Sequence, residues 1–352
     1  MKKTILALSL LGLAACDQAP SENKVETTAE NTKEKASGQV VNVYSFRQPF
    51  LIEPILNEFT KETGIETKVV FAKKGLIERM KREGKHTPAD LVLTSNFSAL
   101  LQLENADLTQ PIQSDTVDKN IPGQFKDAQG NWVALTKRVR NVYSSKERLG
   151  ALPELTYEDL ADPKYKGMLC TRSGKHPYNL GLIASMIAHH GEQETKTWLQ
   201  GVKANLARKP QGNDRAQVKA VKEGLCNIAL GNSYYFGKMM QDPKQKVWAD
   251  SVFINFPNQT NRGSHINVSG VVLSKYTKHK ANALKLIEFM SDEKAQKMYA
   301  SLNMEYPVKS GVALSDMVAS WGKFSEDAIS LDKISENRTL ALKLIDEVKF
   351  DL

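Results

Sequence analysis

Residues 40–108, VVNVYSFRQPFLIEPILNEFTKETGIETKVVFAKKGLIERMKREGKHTPADLVLTSNFSALLQLENADL, decide the fold. VVNVYS (Val40 to Ser45) is β-branched and alternating, which predicts a strand. PFLIEPILNEFTKETG (Pro49 to Gly64) then places apolar residues at helical spacing and stops on a glycine. ETKVVFA predicts a second strand, KGLIERMKREGK a second helix, ADLVLTS a third strand and NFSALLQLENADL a third helix. Strict βαβαβα alternation predicts an α/β chain with a parallel sheet and helices on both faces. Ligands of such sheets bind in the crevice beyond the strand C-termini. Both VYSFRQ and LTSNFS end there.

The middle of the chain repeats this logic. GMLCTRSG predicts a strand running into a loop, and YNLGLIASMIAHHG a helix beginning near Tyr178. AQVKAVKEG predicts a helix, and CNIALGNS a strand ending just before the adjacent pair Tyr234 and Tyr235. Tyr178 and the Tyr234/Tyr235 pair, far apart in sequence, both fall at strand-to-helix junctions. NWVALTKRVRNVYSSKERLG has no break and predicts one long strand leaving the first lobe for a second. VFINFPNQTNRGSHINVSGVVLSK is the expected return, and two such crossing strands make a hinge. The chain ends in helices, KANALKLIEFMSDEKAQKMYASL and NRTLALKLIDEVKF.

The N-terminus concerns location. MKKTILALSLLGLAAC has two lysines, a short apolar run and small residues before Cys16, the pattern of an export signal. Leu13-Ala14-Ala15-Cys16 resembles a bacterial lipobox, so Cys16 is the expected lipidation site. Asp17 favours retention at the inner membrane. The plainer alternative is an ordinary signal with an incidental cysteine. Residues 17–38 hold no aromatic and few aliphatic side chains, too little to offset the entropy of ordering, and are expected to be a tether. The rest exceeds what one core usually fills, so two domains are expected. Cys170 and Cys226 are the remaining cysteines, and an oxidising compartment favours a disulfide between them over two free thiols. The net charge of +8 does not point to nucleic acid, because no arginine-rich run is interleaved with aromatics.

Chemistry-bearing motifs are few. There is no Gly-rich phosphate loop, no GxSxG elbow and no nucleophile–base pair. His189 and His190 have no acidic partner at ligand spacing, which makes them structural. The tyrosines remain. A phenol has a reference pKa near 10, but a tripositive ion favours the phenolate, a hard anionic donor. Three phenolates cancel the formal charge of Fe(III).

VNVYS, LTKRVR, TRSGKHPYN, ARKPQGNDRAQVKAVKEG and GNSYYFGKM together resemble the periplasmic ferric-ion-binding proteins, the capture components of bacterial iron(III) ABC importers. The resemblance covers residues 39–352. It implies a two-lobed periplasmic binding protein fold, type II-like, each lobe a mixed sheet flanked by helices. It implies lobe 1 at 39–138 and 258–318, lobe 2 at 139–257, and C-terminal helices at 319–352. By the same resemblance Tyr178, Tyr234 and Tyr235 are the metal ligands. Many relatives carry a His-Tyr pair after the first strand. Here those positions are Gln48 and Pro49, so the resemblance is to the subgroup with three tyrosines from one lobe and a synergistic anion, carbonate. Arg138 resembles the anion-holding arginine. Arg140 is the alternative, since strand alternation puts both on one face. Tyr44, Arg47 and Gln48 are expected to support the site from the first lobe. His176 is expected beside it rather than on the metal, and the TRSGK loop is a further candidate for holding the anion through backbone amides. The implied protein is a periplasmic monomer, lipid-anchored at the inner membrane, that hands Fe(III) to an ABC permease and catalyses nothing. Rival expectations are a two-lobed receptor for an organic anion or polyamine, and an exported enzyme on the same scaffold.

Overall fold

The computed structural model describes residues 39–352. Cys16, the signal segment and the tether at 17–38 lie outside the described residues. The opening run forms in the predicted order: β1 (Val40–Ser45), α1 (Pro49–Thr63), β2 (Glu66–Phe71), α2 (Leu76–Glu83), β3 (Leu91–Thr94) and α3 (Phe97–Asn105). β1 lies between β2 and β3, parallel to both. α1 buries Ile52, Ile55, Leu56 and Phe59, the i, i+3, i+4, i+7 stripe of an amphipathic helix. It ends where Gly64 turns left-handed at φ 71° and donates its N–H to Thr60.

β4 (Thr109–Gln110) and α4 (Asp115–Asn120) lead into β5 (Val133–Ser145), the long unbroken strand. Then come β6 (Leu169–Cys170), α5 (Pro177–Ala204), α6 (Asp214–Lys222), β7 (Ile228–Asn232), α7 (Ser233–Gln241), α8 (Lys246–Ala249), β8 (Val252–Asn255) and β9 (Ile266–Ser274). The chain closes with α9 (Lys280–Ser291), α10 (Glu293–Leu302), β10 (Tyr306–Pro307), α11 (Asp316–Ala319), α12 (Leu331–Glu336) and α13 (Arg338–Glu347).

β5 belongs to both lobes. As far as Val139 it pairs antiparallel with β9 and β10; from Arg140 onward it pairs antiparallel with β7 and β8. The strand order β2-β1-β3-β9-β5-β7-β6 is therefore one path through two mixed sheets. The return differs from the expected single strand. Residues 256–265 break between β8 and β9, where Asn258 takes φ 62° and its N–H bonds to the Leu155 carbonyl.

Other departures have local causes. The strand expected in GMLCTRSG shrinks to Leu169–Cys170, because the Ser173 hydroxyl and Gly174 N–H turn away to the Asp351 carboxylate, at 2.6 and 2.7 Å. The helix after Tyr178 bends at Gly191 (φ 77°, ψ 178°) and continues to Ala204. The helix expected over 280–302 divides at Asp292, whose carboxylate accepts from the Glu293 N–H at 2.6 Å.

Separate cores hold the lobes. One surrounds the first sheet and includes Val43, Leu91, Val268 and Val271, and it also draws in Trp321 and Leu331. A second lies between the other sheet, α5 and α13, with Trp198, Ile183, Leu344 and Phe350. The chain's end thus packs on the second lobe. A third, smaller core covers the opposite face of that sheet with Tyr143, Val218, Ala229 and Met239. No described helix is long and apolar enough to cross a membrane.

Cys170 and Cys226 are joined, with Cα atoms 5.9 Å apart, inside the third core. They close a loop of sequence separation 56, which in the chain-entropy treatment stabilises the fold by about 4 kcal/mol. The double variant Cys170→Ala/Cys226→Ala is expected to lose about that much in urea denaturation, with no change in the far-ultraviolet circular dichroism of the folded state.

Candidate functional site

Both tyrosine-bearing helices begin at the lobe seam. Pro177 opens α5 at a position where its missing N–H costs nothing, and Tyr178 follows it. α7 opens directly from the end of β7, so Tyr234 and Tyr235 occupy its first turn, where the helix dipole favours negative charge. Successive helical residues point about 100° apart. Here Tyr234 and Tyr235 lean together, with ring centroids 4.2 Å apart at 30°. Phe236 turns the other way, stacks on Tyr143 and meets Trp321 edge-on. Phe236 and Tyr234 both pack against the first core, while the Tyr234 and Tyr235 hydroxyls face the seam cavity.

The three phenols converge. Tyr178 and Tyr234 bring their hydroxyl oxygens to 3.4 Å, and all three tyrosines line one cavity of about 130 Å³ with Phe46, Arg47, Gln48, Leu51, Ser95, Arg138, Ser269 and Glu305. A hard octahedral cation with bonds of about 2 Å keeps neighbouring ligand oxygens about 2.9 Å apart. The observed pair is within about half an ångström of that spacing. Burial, together with the neighbouring Tyr178 and Tyr235, raises the Tyr234 pKa well above its ordinary value. Burial, Tyr178 and Asp214 push Tyr235 up to about 12. Both are therefore neutral phenols at neutral pH. No cluster of three or more His, Cys, Asp or Glu suited to a metal occurs among the described residues.

Cationic groups surround the phenols. The Arg138 guanidinium lies 5.4 Å from the centre of the Tyr178 ring and donates to the Ser269 hydroxyl at 2.8 Å and to the Ser95 carbonyl; its Nε has no partner. Arg172 lies 5.3 Å from the same ring, and Arg215 lies 5.6 Å from that of Tyr235. Arg47 lines the cavity but forms a buried fork with Glu305, at 2.7 and 3.3 Å. Gln48 reaches the cavity while preceding α1, whose first residue is Pro49.

Some sequence candidates lie elsewhere. Tyr44 does not line the cavity; its hydroxyl donates to Glu83 at 2.9 Å and its ring lies under Arg79. Arg140 does not line it either. Its guanidinium is taken by Asp214 at 2.6 Å, Asn179 at 2.6 Å and Asn232 at 3.1 Å. The TRSGK loop commits its Gly174 amide to Asp351. His176 sits against Tyr178 with ring centroids 4.6 Å apart, and its Nδ1 accepts the Tyr178 N–H at 3.3 Å. Burial and the charge of Arg172 lower its pKa to about 3, so it stays neutral. His189 and His190 pair with Asp327 and Glu158, acids remote in sequence.

Sequence reasoning gave no role to Ser95, Ser269 and Glu305, which carry no motif, nor individually to Arg172 and Arg215, which lie inside the TRSGKHPYN and ARKPQGNDRAQVKAVKEG motifs. It also missed Asp214, fully buried between Arg140 and Arg172 and bonded by the Asn232 N–H at 2.9 Å. Burial raises the Asp214 pKa, but the charges of the two arginines and these hydrogen bonds outweigh it and leave it below the usual carboxylate value. A depressed folded-state pKa contributes stability above the unfolded value and loses it as pH falls through the folded one. That contribution therefore persists through neutral and mildly acidic pH. Asp214→Asn strands two buried cations and is expected to destabilise the protein by about 3–5 kcal/mol in urea denaturation at pH 7.

A family model described as bacterial extracellular solute-binding protein matches residues 86–337. The chain is 39% identical over 338 residues to Iron uptake protein A1 of Synechocystis sp., covering 95% of this chain and 92% of that protein. It is 27% identical over 305 residues to the major ferric iron-binding protein of Neisseria gonorrhoeae, covering 84% and 89%. The apo ferric ion-binding protein A of Pasteurella haemolytica superposes with a TM-score of 0.86 at 54% identity, over 89% of this chain and 99% of that one. The FutA protein of Trichodesmium, solved with iron and citrate, superposes with a TM-score of 0.83 at 36% identity, over 88% and 99%.

Proposed function

Because the chain belongs to the bacterial extracellular solute-binding protein family, alongside ferric-ion-binding members, we propose that it captures one Fe(III) in the periplasm and delivers it to an inner-membrane ABC permease. Tyr178, Tyr234 and Tyr235 bind the ion as phenolates. The observation that carries this is the convergence of the three phenols in one small cavity, with two hydroxyl oxygens at 3.4 Å. A small anion, carbonate in the simplest case, completes the coordination and is held by Arg138. A guanidinium fork matches a planar oxyanion.

Charge supports the assignment. Three phenolates neutralise the tripositive ion, Arg138 offsets one of the two charges of a carbonate, and Arg172 and Arg215 nearby add further positive charge. The Arg47–Glu305 pair is neutral as a unit and adds no net charge from the first lobe. The site therefore remains near neutrality when the lobes close and water leaves. Lobe 1 is taken as 39–138 and 258–318 and lobe 2 as 139–257, with closure about β5 and the return to β9. Cys16 is taken as the lipid attachment point that keeps the protein at the membrane.

A visible titration with ferric citrate, with and without bicarbonate, tests the proposal. Phenolate-to-iron charge transfer is expected to tint the loaded protein red and to require the anion; a colourless complex refutes phenolate ligation. In Tyr235→Phe, Fe(III) affinity is expected to fall at least about 100-fold, more than typically follows loss of a supporting group around a metal. The melting temperature of the iron-free variant is expected to change by no more than about 2 °C.

The pH dependence has a definite sign. Tyr234 and Tyr235 are protonated without iron, since their pKa values lie above the ordinary phenol range, and deprotonated with it. Binding therefore expels protons, and affinity rises with pH. Chelator competition between about pH 6 and 8 is expected to give log affinity against pH a slope of about two or more. A flat profile refutes ligation by these phenols.

A further inference from the structure

The loop before α5 is pinned from a distant part of the chain. α13 ends in a Schellman turn: Lys349 takes a left-handed φ of 53°, and the Phe350 N–H bonds to the Ile345 carbonyl at 3.0 Å. That turn sets the direction of the two residues that follow Lys349. The Asp351 carboxylate accepts from the Ser173 hydroxyl at 2.6 Å and from the Gly174 N–H at 2.7 Å. Phe350 is buried in the second core and lies against Gly174, where an added Cβ would come within 2.9 Å of its ring. The Lys203 ammonium, near the end of α5, holds the Val348 and Lys349 carbonyls at 3.0 and 2.6 Å. The anchor is therefore itself fixed to the second lobe.

The clamped pair, Ser173 and Gly174, sits between two neighbours of the Tyr178 ring. The Arg172 guanidinium lies 5.3 Å from the ring centre, and the His176 ring meets it edge-on at 4.6 Å. The Ser173 carbonyl accepts the His176 N–H at 3.2 Å, and the His176 Nδ1 accepts the Tyr178 N–H at 3.3 Å. A short chain of bonds thus runs from Asp351 to the first turn of α5. Asn179 also donates to the Ser173 carbonyl, at 3.2 Å, but from within α5, so that bond moves with the helix rather than fixing it. Arg172 has a second anchor in Asp214 at 3.1 Å. The His176 side of the loop therefore depends more on the clamp than the Arg172 side does.

We propose that Asp351 is a positioning residue for Tyr178: its carboxylate holds the Ser173–Gly174 turn, and through His176 that turn fixes where the phenol stands at the seam. This rests on the reading of Tyr178 as an iron ligand. Asp351 does not line the tyrosine cavity and touches no ligand. Its effect is on where a ligand oxygen waits before the ion arrives. Groups that orient metal ligands from outside the coordination sphere carry much of a site's affinity.

Variants of the full chain test this with and without iron. In iron-free Asp351→Ala, the amides of His176 and Tyr178 are expected to exchange with deuterium at least about ten-fold faster, while those of Phe236 and Gly237 in α7 are unchanged. Chelator competition is expected to show Fe(III) bound about ten-fold more weakly, the scale for loss of a group that orients a ligand. Asp351→Asn keeps an oxygen for the Gly174 N–H and gains an N–H for the Ser173 hydroxyl oxygen, so it should bind iron within about three-fold of the parent. In the Tyr178→Phe background the loss from Asp351→Ala should shrink below about two-fold, and in the Tyr235→Phe background it should persist. Unchanged exchange at His176 and Tyr178 overturns the proposal. So does an equal loss in the alanine and asparagine variants, or an undiminished loss in the Tyr178→Phe background. A parent chain that binds no Fe(III) through phenolates removes the iron reading, and this role with it. A parent that binds iron, beside an Asp351→Ala variant that binds it equally well, removes this role alone.

Discussion

The buried carboxylate of Asp214 ties together the segments from which the tyrosines emerge. It receives Arg140 from β5, Arg172 from the loop before α5, and the N–H of Asn232 at the end of β7. Tyr178 starts the helix after that loop, and Tyr234 lies two residues beyond Asn232. A single charge thus helps fix the relative positions of two helix N-termini, alongside the Arg140 bridge from Asn179 to Asn232 and the Tyr178–Tyr234 hydroxyl contact. The packing is tight enough to exclude alternatives. A Cβ at Gly231 would lie 2.4 Å from the Tyr143 ring and 3.5 Å from the Asp214 Cβ. Removing an ion from such a place leaves uncompensated charge in low dielectric, which is why geometry here is rigid rather than adaptable.

That rigidity matters because the phenols converge in an unfavourable electrostatic state. Their hydroxyls crowd one small space, and burial favours the neutral form. Arg138, Arg172 and Arg215 lie over the rings, and two helix N-termini point inward. These positive groups do not ionise the phenols unaided. On the proposed function they lower the cost of ionisation when a tripositive ion arrives, and selectivity then rests on the charge of the cargo. A divalent ion of similar size leaves one phenolate uncompensated in the same cavity.

What was legible in the sequence follows physical range. The βαβαβα opening could be read because strand and helix periodicities and the Gly64 stop are local. β5 could be read because thirteen residues without a breaker leave no other choice. The tyrosine junctions were legible as positions, but their convergence needed the family resemblance, since nothing in a sequence measures the distance from Tyr178 to Tyr234. Long-range polar partners stayed hidden. Alternation could pair Arg138 with Arg140 but could not show that Asp214 claims one of them. Tyr44 looked available because Glu83, its partner, sits at the end of α2, 39 residues further along the chain. Of the TRSGK amides suggested for the anion, that of Gly174 is taken by Asp351, which arrives from the far end of the chain.

α7 connects capture to closure. Its first turn carries Tyr234 and Tyr235, and its second is seated on the first lobe. A Cβ at Gly237 would lie 2.5 Å from Met304 Cγ, so only glycine permits this approach. Lys238 reaches across to the Leu302 carbonyl and lies over Phe50. Met304 itself takes a left-handed φ of 58°, immediately before Glu305, which holds Arg47 at the cavity. Nine residues of one helix thus fix both the phenol oxygens and the seam between lobes. A helix this short moves as a rigid unit, and close-packed seams switch between discrete arrangements rather than deform. Any movement of α7 that shifts the two phenols must also reposition Gly237 against Met304, so the phenol-bearing turn and the first lobe are mechanically joined.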